Sequence, residues 1–261
     1  MMITFIHCFQ SEWLKKQNTL SSWLVIAGSL FTPIIIIVAR LINHRQLAAL
    51  YEKDNFWSQL WHSSWESMAI FLLPMGVILA TSLITQIEYK NNTWKQLHSF
   101  PISFTTIFFS KLTVIIVMVL QFFILFNVGI YLSALIPYLL VSGVHYPNTP
   151  IPFMLILKED GYFFIDCLPI ISLQYLISLQ FKNFLIPIGI GFGLWVASLS
   201  VLSWKFGYFI PYTYCILNFL KGQANNKAAI PGMNIHYLAI GYFVVFTIMS
   251  YFLYISKKEK G

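Results

Sequence analysis

The sequence predicts an all-α, polytopic integral membrane protein: six transmembrane helices preceded by a short N-terminal amphipathic helix at the membrane interface. Three observations carry that prediction. Only 10% of the 261 residues are charged while 58% are hydrophobic, whereas a water-soluble domain carries about 25% charged residues. The apolar residues fall in uncharged runs of about 20, the length a helix needs to cross about 30 Å of hydrocarbon. The 24 Phe, 14 Tyr and 8 Trp make too much apolar surface for a chain that stays hydrated and disordered. Six spans and their connections use up the length, so residues 1–261 read as a single transmembrane domain with no room for a soluble catalytic one.

Residues 1–20 come first. Ile6, Phe9, Trp13 and Leu14 recur at helical spacing opposite His7, Gln10, Glu12 and Lys15, which predicts an amphipathic helix lying in the interface plane. The polar residues His7, Gln10, Glu12, Lys15 and Lys16 also argue against a cleavable signal peptide. The first span is expected near Ser21 to Ile42, with Arg40 at its end reaching the headgroups. The second runs near Ser67 to Ile87, and Trp57, Trp61, His62 and Trp65 before it read as an interfacial aromatic belt. A third span is expected near Phe104 to Phe126. The uncharged stretch Leu112 to Leu157 could hold two crossings, but Pro137, Pro147, Pro150 and Pro152 crowd its second half. One long span and an irregular external loop are therefore expected. The last three spans are placed near Tyr162 to Phe181, Phe184 to Trp204 and Asn234 to Ser256.

Lysine placement orients these spans. Lys15-Lys16 and Lys257-Lys258 both flank spans, so an even number of crossings with both termini cytoplasmic satisfies the positive-inside rule at the plasma membrane. The net charge of +7 is scattered between apolar runs rather than striped along a helix, which argues against nucleic acid as a partner. Cys8, Cys167 and Cys215 lie far apart and show no metal-ligand spacing.

Two stretches could carry function. Residues 88–101 form a charged, aromatic elbow between the second and third spans, in which Trp94 and Leu97 at i and i+3 could present an apolar knob to a cytoplasmic partner or merely anchor a loop. Within the spans, Asp166 is expected near an external helix end reached by water, ahead of a transport or proton-relay role, and Glu66 is read the same way. Gly189 and Gly193 form a small-xxx-small pair suited to close helix packing.

These residues resemble the ABC-2 type permeases of ABC exporters, most nearly the permease subunits of bacteriocin (lantibiotic) immunity transporters. The likeness rests on Glu88 ending the second span, Thr93-Trp94-Lys95-Gln96-Leu97, Pro101 and Lys111 at the third span. It extends upstream to Glu12-Trp13-Leu14-Lys15-Lys16, with Pro33 and Pro74 inside the first two spans. The resemblance implies a non-enzymatic permease that couples to a separate ATP-binding subunit through Glu88, Thr93, Trp94, Lys95 and Leu97. Glu12, Trp13, Lys15 and Lys16 would form its N-terminal elbow, and a second copy or a paralogous permease would complete the pathway. This chain then needs no cofactor, since ATP and magnesium bind the partner. None of the 13 glycines is followed by lysine, so no phosphate-binding G-x-x-x-x-G-K-[ST] loop is present. A non-catalytic membrane partner or channel would show the same quiet spans and stays open as an alternative. A multi-span membrane enzyme is the weaker one, since no catalytic cluster accompanies the histidines 7, 44, 62, 98, 145 and 236.

Overall fold

The computed structural model describes residues 2–90, 102–221 and 234–258. Every regular element among them is helical. Five helices are long and apolar enough to cross a membrane, and the predicted fifth span is instead a shorter apolar helix, Leu185–Ser200.

Helix α1 (Met2–Lys16) leads into α2 (Leu20–Ile42). Asn18 makes the turn at φ 59°, a left-handed conformation that Asn tolerates better than most side chains. The hydroxyls of Thr19 and Ser22 both donate to the carbonyl of Lys16, at 2.5 and 2.8 Å, satisfying the end of α1. Beyond α2 the chain passes through a single 3-10 turn (His44–Gln46) and the short α3 (Leu47–Tyr51).

The second crossing begins earlier than expected. Helix α4 (Phe56–Ser67) continues through a π-helical turn (Met68–Leu72) into α5 (Leu73–Lys90). Its tryptophans are not a membrane belt: Trp57, Trp61 and Trp65 are buried. Trp65 lies flat on Phe163 at 3.9 Å and edge-on to Phe126, and the Trp57 indole donates to the Thr149 carbonyl. Aromatic partners on neighbouring helices supply more contact than the interface would, and they turn these rings inward.

Helix α6 (Phe104–Leu140) is 37 residues long, about 55 Å at 1.5 Å per residue and longer than a bilayer is thick. Ser103 caps it by accepting from the Thr106 amide. Helices α2 and α6 run side by side in the same direction, Gly28 beside Phe122 and Gly129 against the Pro33 ring. Gly129 leaves the space that ring occupies.

The irregular loop after α6 is shorter than its prolines suggest. It covers 141–152, with Gly143 at φ 86°, and α7 (Phe153–Gln180) starts nine residues before the predicted Tyr162. Lys158, Glu159 and Asp160, which read as loop charges, thus lie within a helix, where Asn127 of α6 donates to the Asp160 carboxylate at 2.6 Å. A four-residue connection leads to α8 (Leu185–Ser200), and the Gln86 amide closes it by donating to the carbonyls of Ser178 and Phe181.

The chain then folds back. Two 3-10 turns, Gly207–Phe209 and Pro211–Thr213, precede α9 (Tyr214–Lys221), whose Tyr214 and Cys215 are fully buried against the bundle. Part of the connection between the expected fifth and sixth spans is therefore packed helix. Helix α10 (Ile235–Lys258) closes the bundle along α7.

Candidate functional site

Three polar clusters stand inside this apolar bundle. The first joins α1 to α6. Glu12, 6% exposed, faces Lys111, 3% exposed, at 3.4 Å, and also pairs with Lys15. The Lys16 ammonium donates to the Gln121 side chain at 3.2 Å and sits 3.4 Å from the centre of the Trp13 ring, a cation–π contact. Burial of the Lys16 ammonium lowers its pKa to about 8. Cys8 meets Ser110 at 3.1 Å.

The N-terminal elbow residues Glu12, Trp13, Lys15 and Lys16 are thus brought together, but on a different face from the expected one. Cys8, Glu12 and Lys16 form the buried seam, while Ile6 and Leu14 point outward. The reason lies on α6: a buried Lys111 demands a carboxylate, and Glu12 can supply it only by turning inward.

The second cluster centres on Gln174. Its amide donates to Ser82 at 2.8 Å and to the Pro187 carbonyl at 2.9 Å, binding α7 to α5 and α8. The Tyr212 hydroxyl donates to the Gln174 carbonyl oxygen at 3.4 Å, so the turn before α9 reports to the same residue. This crossing explains which glycine matters within the chain. A Cβ on Gly191 would stand 2.5 Å from Gln174 Oε1, whereas Gly189 and Gly193 have nothing within 4 Å. The close approach expected of Gly189 and Gly193 belongs, inside this chain, to Gly191 between them.

The third cluster pairs Asp166 with His236. Asp166 is fully buried, and its Oδ1 lies 2.8 Å from His236 Nδ1, while Oδ2 has no partner among the described residues. Asp166 stands 13 residues after Phe153, about 20 Å along α7, so it is no water-reached helix end. His236 stacks on Tyr162 at 4.3 Å, and Asp166 is followed by the buried Cys167. The signal available in sequence was an acid inside one apolar run and a histidine opening another. Nothing in either run says that the two meet.

The proposed coupling elbow cannot be built from side chains in the same way. Glu88 lies in the last turn of α5 with its side chain outside the described residues, and Thr93, Trp94, Lys95 and Leu97 lie outside them as well. What is described is the frame: α5 ends at Lys90 and α6 begins at Phe104. Those two helix ends lie at the end of the bundle where α1 docks on Ser110 and Lys111. Among the described residues no group of three His, Cys, Asp or Glu could hold a metal ion.

Residues 8–198 match the family described as ABC-2 family transporter protein. The chain belongs to the ABC-2 transporter family. A search of curated proteins found no match. The family match covers α1 from Cys8 through most of α8 and stops short of α9 and α10. Within this ABC-2 protein, all three polar clusters use residues from the matched region, and His236 is the main contribution from beyond it. The chain is accordingly a multi-pass membrane component of a transporter.

Proposed function

We propose that this ABC-2 protein is the permease subunit of an ABC exporter, moving a hydrophobic or amphipathic substrate outward with ATP hydrolysed by a separate subunit. The family match over residues 8–198 carries the reading. The described ends of α5 and α6, which flank that segment in sequence at the end of the bundle where α1 docks, support it. In this reading both termini are cytoplasmic in the plasma membrane, and Glu88, Thr93, Trp94, Lys95 and Leu97 engage the ATPase so that its closure on ATP is transmitted through α5 and α6.

A second permease, identical or paralogous, would complete the pathway, and the open space beside Gly189 and Gly193 suits a neighbouring helix. The sparse buried charge favours an amphipathic cargo over a small ion, and the resemblance to immunity permeases makes a bacteriocin the substrate we propose. The test is co-expression with the ATPase encoded beside it. A detergent-stable complex that hydrolyses ATP, and protection of cells against the bacteriocin, are expected. A chain that purifies alone with no ATPase neighbour would overturn the reading.

A further inference from the structure

At the end of the bundle opposite α1, the turn from α2 through His44–Gln46 into α3 borders an open cleft of about 510 Å³, within the range of about 300–1,000 Å³ typical of small-molecule sites. Its polar lining is Arg40, Asn43, Gln46 and Lys53, its apolar floor includes Ile36 and Leu50, and no acidic residue lines it. No carboxylate pairs with Arg40 or Lys53 among the described residues. Arg40 is nevertheless fixed. Its Nη1 donates to the Ser133 carbonyl at 2.9 Å and to the Tyr51 hydroxyl at 3.4 Å. Its guanidinium carbon lies 5.4 Å from the Tyr51 ring centre and 5.1 Å from that of Phe56. A pre-positioned, partly buried cation, paired with no carboxylate among the described residues, thus lines an open cleft together with a second cation and two amides.

Depth narrows the ligand. Arg40 lies 20 residues beyond Leu20, about 30 Å along α2, which sets the cavity at the headgroup level of the leaflet farther from α1. The flank of α2 below it is exposed and apolar at Ile34, Ile35 and Val38, a surface for acyl chains. We propose that this cavity binds the anionic phosphodiester headgroup of a membrane lipid. Arg40 and Lys53 grip the phosphate, Asn43 and Gln46 meet the headgroup hydroxyls, and the acyl chains run down α2. This resident lipid is distinct from the transported cargo.

Native mass spectrometry of the full-length chain in detergent tests it, with phosphatidylglycerol, phosphatidylcholine or inorganic phosphate added separately. Phosphatidylglycerol adducts are expected to outlast phosphatidylcholine adducts, and millimolar inorganic phosphate is expected not to displace them. Lys53→Gln should lower phosphatidylglycerol retention about fivefold, the weight of one lysine near a charged membrane surface. Arg40→Gln should lower it further. Lys53 is exposed, so Lys53→Gln keeps the thermal midpoint and separates lost binding from lost folding. Equal retention of the two lipids, displacement by inorganic phosphate, or unchanged retention in Lys53→Gln would each overturn the proposal.

Discussion

Replacing His236 by leucine tests the buried Asp166–His236 pair most sharply. The substitution puts an apolar side chain at the start of α10 and removes the group 2.8 Å from Asp166 Oδ1. Because Oδ2 already has no partner and Asp166 is fully buried, the carboxylate is left with no hydrogen bond among the described residues. Leaving a buried hydrogen-bonding group without its partner costs about 1–3 kcal/mol, against an average of about 0.6 kcal/mol for a side-chain hydrogen bond between membrane helices. The upper end, about 3 kcal/mol, is expected because Asp166 is fully buried, which for a chain of this size corresponds to a fall of about 6–12 °C in thermal midpoint. Asp166→Leu combined with His236→Leu removes both polar groups and should cost clearly less than the two single losses together. The assay is thermal unfolding in one detergent at fixed pH, run as a double-mutant cycle. A loss below about 1 kcal/mol for His236→Leu, or strict additivity in the cycle, would refute the reasoning that this pair ties α10 to α7.

Glycine substitutions give a ranked series. Gly129→Ala puts a Cβ 2.7 Å from the rigid Pro33 ring and should destabilise by about 1–3 kcal/mol through overpacking. Gly191→Ala should behave alike, because the Gln174 side chain it would strike is held at both Ser82 and Pro187. Gly193→Ala meets nothing within 4 Å and should be neutral or stabilising by up to about 1 kcal/mol; thermal midpoints decide the order. Lys16 predicts a pH dependence of α1 docking. Its pKa is lowered from 10.5 to about 8, so between these values the unfolded chain holds more protons than the folded one. Stability should therefore rise with pH from about 8 to about 10.5, a rise that Lys16→Met should abolish in pH-resolved unfolding. Single cysteines introduced at positions 94 and 225 should be labelled from opposite sides of the membrane, position 94 from the cytoplasm, and labelling of both from one side would contradict the span count.

Much of the fold is written in the hydropathy pattern, because a helix that meets lipid must be apolar along its whole length. The runs that form α2 and α10 can be bounded to within a few residues on that ground alone, whereas α6 continues 14 residues past the expected Phe126 and the second crossing starts 11 residues before the expected Ser67. The errors fall where protein, not lipid, is the solvent. Trp57, Trp61 and Trp65 have the composition of an interface belt but bury themselves on Phe163, Phe126 and Tyr131. Asp160 falls in the stretch expected as loop because a bonded charge and a solvated one read alike in sequence. Helix α8, at 16 residues, is too short for the span predicted there, and the packing of Tyr212 and Tyr214 that replaces its end depends on distant side chains. The polar clusters were legible as residues but not as pairs. Glu12 with Lys111 and Asp166 with His236 join positions 99 and 70 apart, a separation no local period encodes.

Transport in proteoliposomes tests the central claim most directly. The chain is reconstituted with its ATPase, and uptake of a labelled amphipathic peptide into inside-out vesicles is followed with and without ATP. Uptake should require ATP and the ATPase subunit. Trp94→Ala with Leu97→Ala should lower uptake at least about tenfold while membrane insertion and the thermal midpoint of the chain are unchanged. Uptake that proceeds without ATP, or that is unaffected by the double substitution, would contradict an ATP-driven permease coupled through the 88–101 elbow.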